Sequence, residues 1–222
     1  MPSILLAGPR QSLSAAGQHV LSAPMLRFPL DFRFRLLTLA PQITVTDSAG
    51  SEVCYIKQKA FKLRESVTVF RDSTQGAILG KIEADRIIDW SARYTFQDAE
   101  GQPFGAVGRR GARSLWRSHY DIFDSATSNR ASMSIQEESV MMRMLDNVLG
   151  EIPILGMFTG YFFNPSYAVV SAEGVLVAKL RKRASFLDKH FTLEKLADLT
   201  SEQELEILLS CLMMTLLERH RG

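Results

Sequence analysis

The chain has 222 residues, 46% of them hydrophobic and 23% charged; this excludes a disordered polymer and allows about 70% of the unfolded surface to be buried without cross-links. Its 26 basic and 24 acidic residues leave a formal charge of +2, so recognition of a nucleic acid or a membrane has to come from local clustering rather than bulk charge. The two cysteines, Cys54 in a strand-like run and Cys211 in an apolar helical run, read as small buried thiols of a reducing, cytoplasmic compartment rather than as a disulfide or a nucleophile.

Residues 1–28 hold Arg10, Arg27, several serines and no acid. Ile4–Ala7 lacks the basic lead and the length of a secretory signal, and the segment only faintly resembles an organelle transit peptide. A disordered tail over 1–28 is predicted, followed by one domain over 29–222.

From there strand-like runs alternate with short Asp, Ser and Gly clusters at 46–50, 71–76, 97–101 and 123–126, with a fifth at 170–174. Asp47, Asp72, Asp98 and Asp124 are spaced 25, 26 and 26 residues apart. An Asp carboxylate accepts hydrogen bonds from amides two residues on, and Gly supplies the positive φ that closes a hairpin. Five hairpins make ten strands, a number suited to a sandwich or a closed barrel. Apolar residues step by two on one face at Ile43 and Val45, Val67 and Val69, Tyr94 and Phe96, Trp116, Tyr120 and Ile122, Met133 and Ile135, and Val175 and Val177. Gly76–Lys81 looks like a phosphate loop, but its glycines enclose three residues and Ile82 stands where a metal-binding hydroxyl is needed, so it reads as a strand leaving a hairpin.

Arg109, Arg110, Arg113 and Arg117 follow, with no acid between residues 105 and 120. Arg117, His119 and Asp121 share a strand face that could be offered as an acid–base site, but they read as exposed strand decoration. An amphipathic helix is predicted over about 137–149, with Val140, Met141, Met144, Leu145 and Val148 on one stripe and Gly150 ending it. The apolar run 152–163 is too short to cross a bilayer and reads as a buried connection, with a shallow membrane-inserting loop as the alternative. A second basic cluster, Lys179, Arg181, Lys182, Arg183 and Lys189 against Asp188, carries +4 between 179 and 189. Such clusters either keep a strand edge soluble or engage phosphate, arginine doing so bidentately.

The last element differs from the others, because from Leu205 to Leu217 the apolar residues run all the way round a helix. Such a helix is enclosed by protein or by lipid. About 13 apolar residues span nearly 20 Å, short of the roughly 30 Å of a bilayer core, which favours protein. Ser201 with Glu204 forms a predicted capping box, and Arg219, His220 and Arg221 sit at the negative helix end.

The Tyr55–Arg64 run with the Val67–Phe70 strand, the Asp-x-x-Gly hairpins, the Tyr120–Asp124 run and the late Leu-rich helix together resemble the LURP-one-related branch of the tubby C-terminal-like superfamily, over about Pro29 to Arg221. The resemblance implies a mainly β fold of α+β type: a twelve-stranded, mostly antiparallel closed barrel around a central apolar helix, Ser201–His220. It also implies phosphoinositide headgroup binding, as in tubby proteins, or calcium-linked lipid movement, as in scramblases. Residues 191–199 carry only Glu194 and Asp198, so the acidic calcium segment of scramblases is not present there. No catalytic motif stands out, and His19, His119, His190 and His220 share no metal-ligand spacing. The expectation is a non-enzymatic binding domain at an anionic phospholipid surface, with no cofactor, no metal and no nucleic acid; the alternative is a protein-interaction scaffold.

Overall fold

The computed structural model describes residues 25–35, 42–57, 66–85, 93–109, 119–138, 166–183 and 188–219. Twelve strands run in chain order: β1 (Leu30–Arg35), β2 (Gln42–Thr46), β3 (Glu52–Lys57), β4 (Ser66–Phe70), β5 (Ile78–Ala84), β6 (Arg93–Gln97), β7 (Pro103–Arg109), β8 (His119–Phe123), β9 (Met133–Glu137), β10 (Ser166–Ser171), β11 (Leu176–Arg183) and β12 (Lys189–Lys195). Each pairs antiparallel with its chain neighbours, and β1 pairs with β12 to close the barrel. Closure leaves no free sheet edge. The ten hairpin strands are therefore β2–β11, and the first and last strands seal the cylinder.

Strand alternation decides what faces inward. Phe32, Val45, Ile56, Val67, Ile82, Phe96, Val107, Ile122, Ile135, Val169, Leu180 and Leu193, one from each strand, are all buried, and they pack around α1 (Ser201–Arg219). Every residue from Glu204 to Leu216 is buried, as the apolar circumference of the helix requires. Cys54 and Cys211 are both free and buried, and burial pushes the Cys211 thiol up to about 12. Val175 departs from the expected inward step: it is 54% exposed while Val177 is buried. The amide of Ser171 bonds to the Val175 carbonyl, which makes Val175 the last residue of the turn, and a bulge beside Val170 resets the register.

Three of the five turns use one device. Asp47 Oδ1 accepts the amides of Ala49 and Ser51, both at 2.9 Å, Asp98 Oδ1 accepts those of Glu100 and Gln102, and Ser171 Oγ those of Glu173 and Val175. In each, the glycine three residues on has φ near +80°. At the Asp72 turn Gln75, not Gly76, takes the positive φ of 60°. The turn after β8 has no glycine; the Arg93 guanidinium holds it instead, donating to the carbonyls of Ser125 and Ser128 and stacking 3.9 Å from the Phe123 ring.

The cap of α1 lies one residue earlier than the predicted Ser201–Glu204 pair. Thr200 Oγ1 accepts the Gln203 amide and Gln203 Oε1 accepts the Thr200 amide, a reciprocal box. Glu204 is turned inward and takes a hydrogen bond from Lys195 Nζ at 2.8 Å. Burial rather than capping decides its role.

Leu26 is buried against the core and the Arg27 carbonyl accepts the Ser48 amide, so packing extends to residues ahead of Pro29. Glu137 ends β9; the remainder of the helix expected over 137–149, beyond Glu138, the run 152–163 and residues 1–24 lie outside the described residues.

At Gly80 in β5 an added Cβ would stand 2.5 Å from the Gln97 carbonyl oxygen. Backbone cannot yield there without opening the β5–β6 ladder, so Gly80→Ala is expected to cost about 2–3 kcal/mol. Thermal unfolding would check this; an unchanged melting temperature contradicts the close approach.

Candidate functional site

The closed barrel has two chemically distinct ends. All five hairpin turns and the β12–α1 connection lie at one end, where the helix enters. The turn residues there include Asp47, Asp72, Asp98, Glu100, Asp124, Glu173 and Asp198 against Arg71 and Arg130. At the opposite end the terminal strand residues include Arg35, Lys57, Arg109, Arg183 and Lys189 against the single acid Glu137, with Asp85, Glu138, Asp188 and Lys182 adjoining them; Arg93 also begins a strand there, but its guanidinium is engaged by the β8–β9 turn. Charge is therefore separated along the barrel axis, a distribution invisible in the near-neutral total.

Strand geometry splits the second basic cluster. In β11, Lys179, Arg181 and Arg183 project outward, whereas Lys182 follows Leu180 on the other face, at the basic end. The three outward cations each meet an acid from another strand or its end. Arg181 Nη2 lies 3.3 Å from Glu194, and Arg183 Nη1 lies 3.9 Å from Asp31. Lys179 and Ser166 both donate to Glu138 in a partly buried contact. Burial works to raise the Glu138 carboxyl, but the bonds from Lys179 and Ser166 and the Lys179 and Arg181 charges override it and hold it below its ordinary range. Lys182 and Lys189 have no ion-pair partner among the described residues.

Arg109 ends β7 at the same basic end, separated from β11 by β8, β9 and β10. Arg110, Arg113 and Arg117 lie outside the described residues. His119 Nε2 approaches Asp121 Oδ1 at 3.5 Å on the outer face of β8, an adjacency that the two-residue step produces by itself. Sequence reasoning did not single out Arg33, Arg35 or His190, which the barrel's closing seam brings beside Arg183. Only the β1–β12 pairing reveals this, since nothing local links those positions.

The acidic end holds a cavity of about 530 Å³ lined by residues that include Asp124, Arg130, Ser132, Glu173, Asp198 and Gln203. Three carboxylates against one guanidinium make it inhospitable to anions. Deeper in, Glu206 on α1 is buried, with Oε2 lacking a hydrogen-bond partner, and a Cβ on Gly105 of β7 would come within 3.3 Å of it. Burial, then the charges of Asp124 and Glu202, push its carboxyl up to about 8. No group of three or more His, Cys, Asp or Glu side chains is placed to hold a metal ion, and no helix is long and apolar enough to cross a membrane, among the described residues.

No curated protein matches the chain. Among solved structures, a protein from Arabidopsis thaliana is similar to it at 13% identity, covering 88% of this chain and 93% of that one with a TM-score of 0.47. The family model described as LURP-one-related matches residues 52–195, from the first residue of β3 to the last of β12, and on that match the chain belongs to the LURP-one-related family.

Proposed function

We propose that the protein is a non-enzymatic, cytoplasmic tubby-like domain that docks peripherally on anionic phospholipid headgroups with the basic end of its barrel. The observation that carries this reading is the axial charge separation: Lys57, Arg109, Lys182 and Lys189 at one end, and the acidic turns at the other. A negatively charged surface attracts the first and repels the second, which favours docking in one orientation. Each cation near such a surface contributes roughly 1 kcal/mol, screened within a Debye length. Phosphatidylserine vesicles in a sedimentation assay should retain the protein at low salt and release it as salt rises. Lys182→Glu with Lys189→Glu should weaken retention about tenfold or more. Equal sedimentation with neutral vesicles would remove the reading.

One observation favours a second reading, a scaffold whose charges serve solubility: Lys179, Arg181 and Arg183 already have acidic neighbours. That reading expects the charge-reversed pair to leave every captured protein partner in place.

A further inference from the structure

We infer that the acidic end of the barrel is a docking surface for a basic, apolar-anchored peptide segment of a protein partner, with a lysine or arginine entering the cavity between the β8–β9 and β10–β11 turns. That cavity, about 530 Å³, is walled by the two turns and the entry of α1, and its lining mixes Asp124, Glu173 and Asp198 with Met133, Val177 and Leu199. Apolar walls with a few polar groups suit a ligand rather than a lone water. The large apolar side chains exposed among the described residues, Met25, Ile78, Val175 and Leu196, all belong to this end: Ile78 and Val175 follow hairpin turns, Leu196 follows β12, and Met25 precedes Arg27, whose carbonyl accepts the Ser48 amide of the β2–β3 turn. Two of them rim the cavity. Val175, 54% exposed, stands in the chain between the lining residues Glu173 and Val177, and the amide of Leu196, 49% exposed, bonds to the Val177 carbonyl. Single scattered apolar side chains mean little, whereas several gathered at one end among polar groups mark an interaction surface.

Charge names the partner. Among the described lining residues Arg130 is the one cation against three carboxylates, none of which has an ion-pair partner among the described residues. Lys195, whose ammonium is within electrostatic reach of Asp198, is already bound to Glu204 at 2.8 Å. Asp124 has a second reason to accept a cation, since its charge acts on Glu206, which is 4% exposed and whose Oε2 has no hydrogen-bond partner. A metal ion is the wrong occupant, because no three His, Cys, Asp or Glu side chains among the described residues are placed to hold one. The chemistry that fits is a cation on an apolar stem: methylenes of a lysine or arginine along Met133, Val177 and Leu199, its charge at Asp124 and Asp198, and neighbouring apolar side chains of the same peptide over Val175 and Leu196.

The inference goes beyond the headgroup reading and does not rest on it, because that reading uses the opposite end of the barrel; a domain docked by its basic end would present this surface to solution. Fluorescence anisotropy of a labelled peptide of lysine, leucine and serine, titrated with the full chain, tests it against two control peptides, one with glutamate for every lysine and one with serine for every leucine. The expected result is saturable binding of the first peptide, weaker by about tenfold or more for either control. Asp124→Asn with Asp198→Asn, and separately Val175→Ser with Leu196→Ser, should each weaken that binding about tenfold. All four side chains are exposed, so thermal unfolding should stay in place, and retention on phosphatidylserine vesicles should stay within about twofold of the parent. The absence of saturable binding, equal binding of the serine control, or parent-like binding in either variant overturns the inference. Self-association of the chain that the acid variant abolishes, without peptide binding, gives the surface to a second copy and overturns it too.

Discussion

Leu212→Asp is expected to yield no soluble, cooperatively folded protein. Leu212 lies at the middle of α1 and is fully buried, as are Leu208 and Met213 beside it. An aspartate there has no water and no cation: the described basic side chains nearest the helix, such as Lys195, sit at its entrance beside Glu204. Burying an unpaired carboxylate costs several kcal/mol even after protonation, and losing the leucine adds about 3–4 kcal/mol of transfer and cavity terms. Together these approach the whole stability of an ordinary domain, about 5–15 kcal/mol. Leu212→Ala separates the terms: it should fold, with a midpoint in denaturant lowered by about 3 kcal/mol of stability. Recovery of soluble Leu212→Asp with a sharp unfolding transition would show that the strands do not enclose the helix.

Glu206 supplies the second large effect, which appears as a dependence of stability on pH. Its carboxyl is raised from 4.5 to about 8 by burial first and then by Asp124 and Glu202. In the unfolded chain the group ionises near 4.5, whereas in the barrel it keeps its proton, so between those values folding takes up a proton and stability falls as pH rises. The contribution is fully present below pH 4.5 and is lost by the time pH passes about 8. Each pH unit in that window is worth about 1.4 kcal/mol, for a loss on the order of 5 kcal/mol by pH 9. Glu206→Gln has no proton to lose. The variant should therefore lie close to the parent at pH 5 and be more stable than it at pH 9 by a few kcal/mol, with a flatter profile between. Parallel profiles for the two proteins in chemical denaturation would refute the buried-acid assignment.

Glu206 also shows why part of the chemistry escaped the sequence. Glu206 falls inside the Leu205–Leu217 stretch that reads as apolar all round the helix, so its carboxyl has no expected role in the sequence. Glu204 turns in to meet Lys195, and Glu206 lies against Gly105 of β7, where an added Cβ would stand 3.1 Å from the Phe123 carbonyl oxygen and 3.3 Å from the Glu206 side chain. Capping chemistry is local, but which side of a wholly buried helix meets a glycine is not.

The sequence by itself determined the inward alternation of Ile43 and Val45 or Tyr94 and Phe96, the Asp47 and Asp98 turns with their glycines, and the burial of Leu205–Leu216. These follow from period-two strands, carboxylate-to-amide bonds two residues on, and a helix with no polar face, all of which operate within a few residues. Tertiary structure alone decided that Lys179 is bound to Glu138, that the hairpin end is acidic and the opposite end basic, and that Arg33, His190 and Arg183 stand in one row. The first two follow from the pairing of successive antiparallel strands, and the third from barrel closure, which joins β1 to β12 across nearly the whole chain. A cluster of charges in sequence is split by strand alternation, and charges distant in sequence are gathered by register.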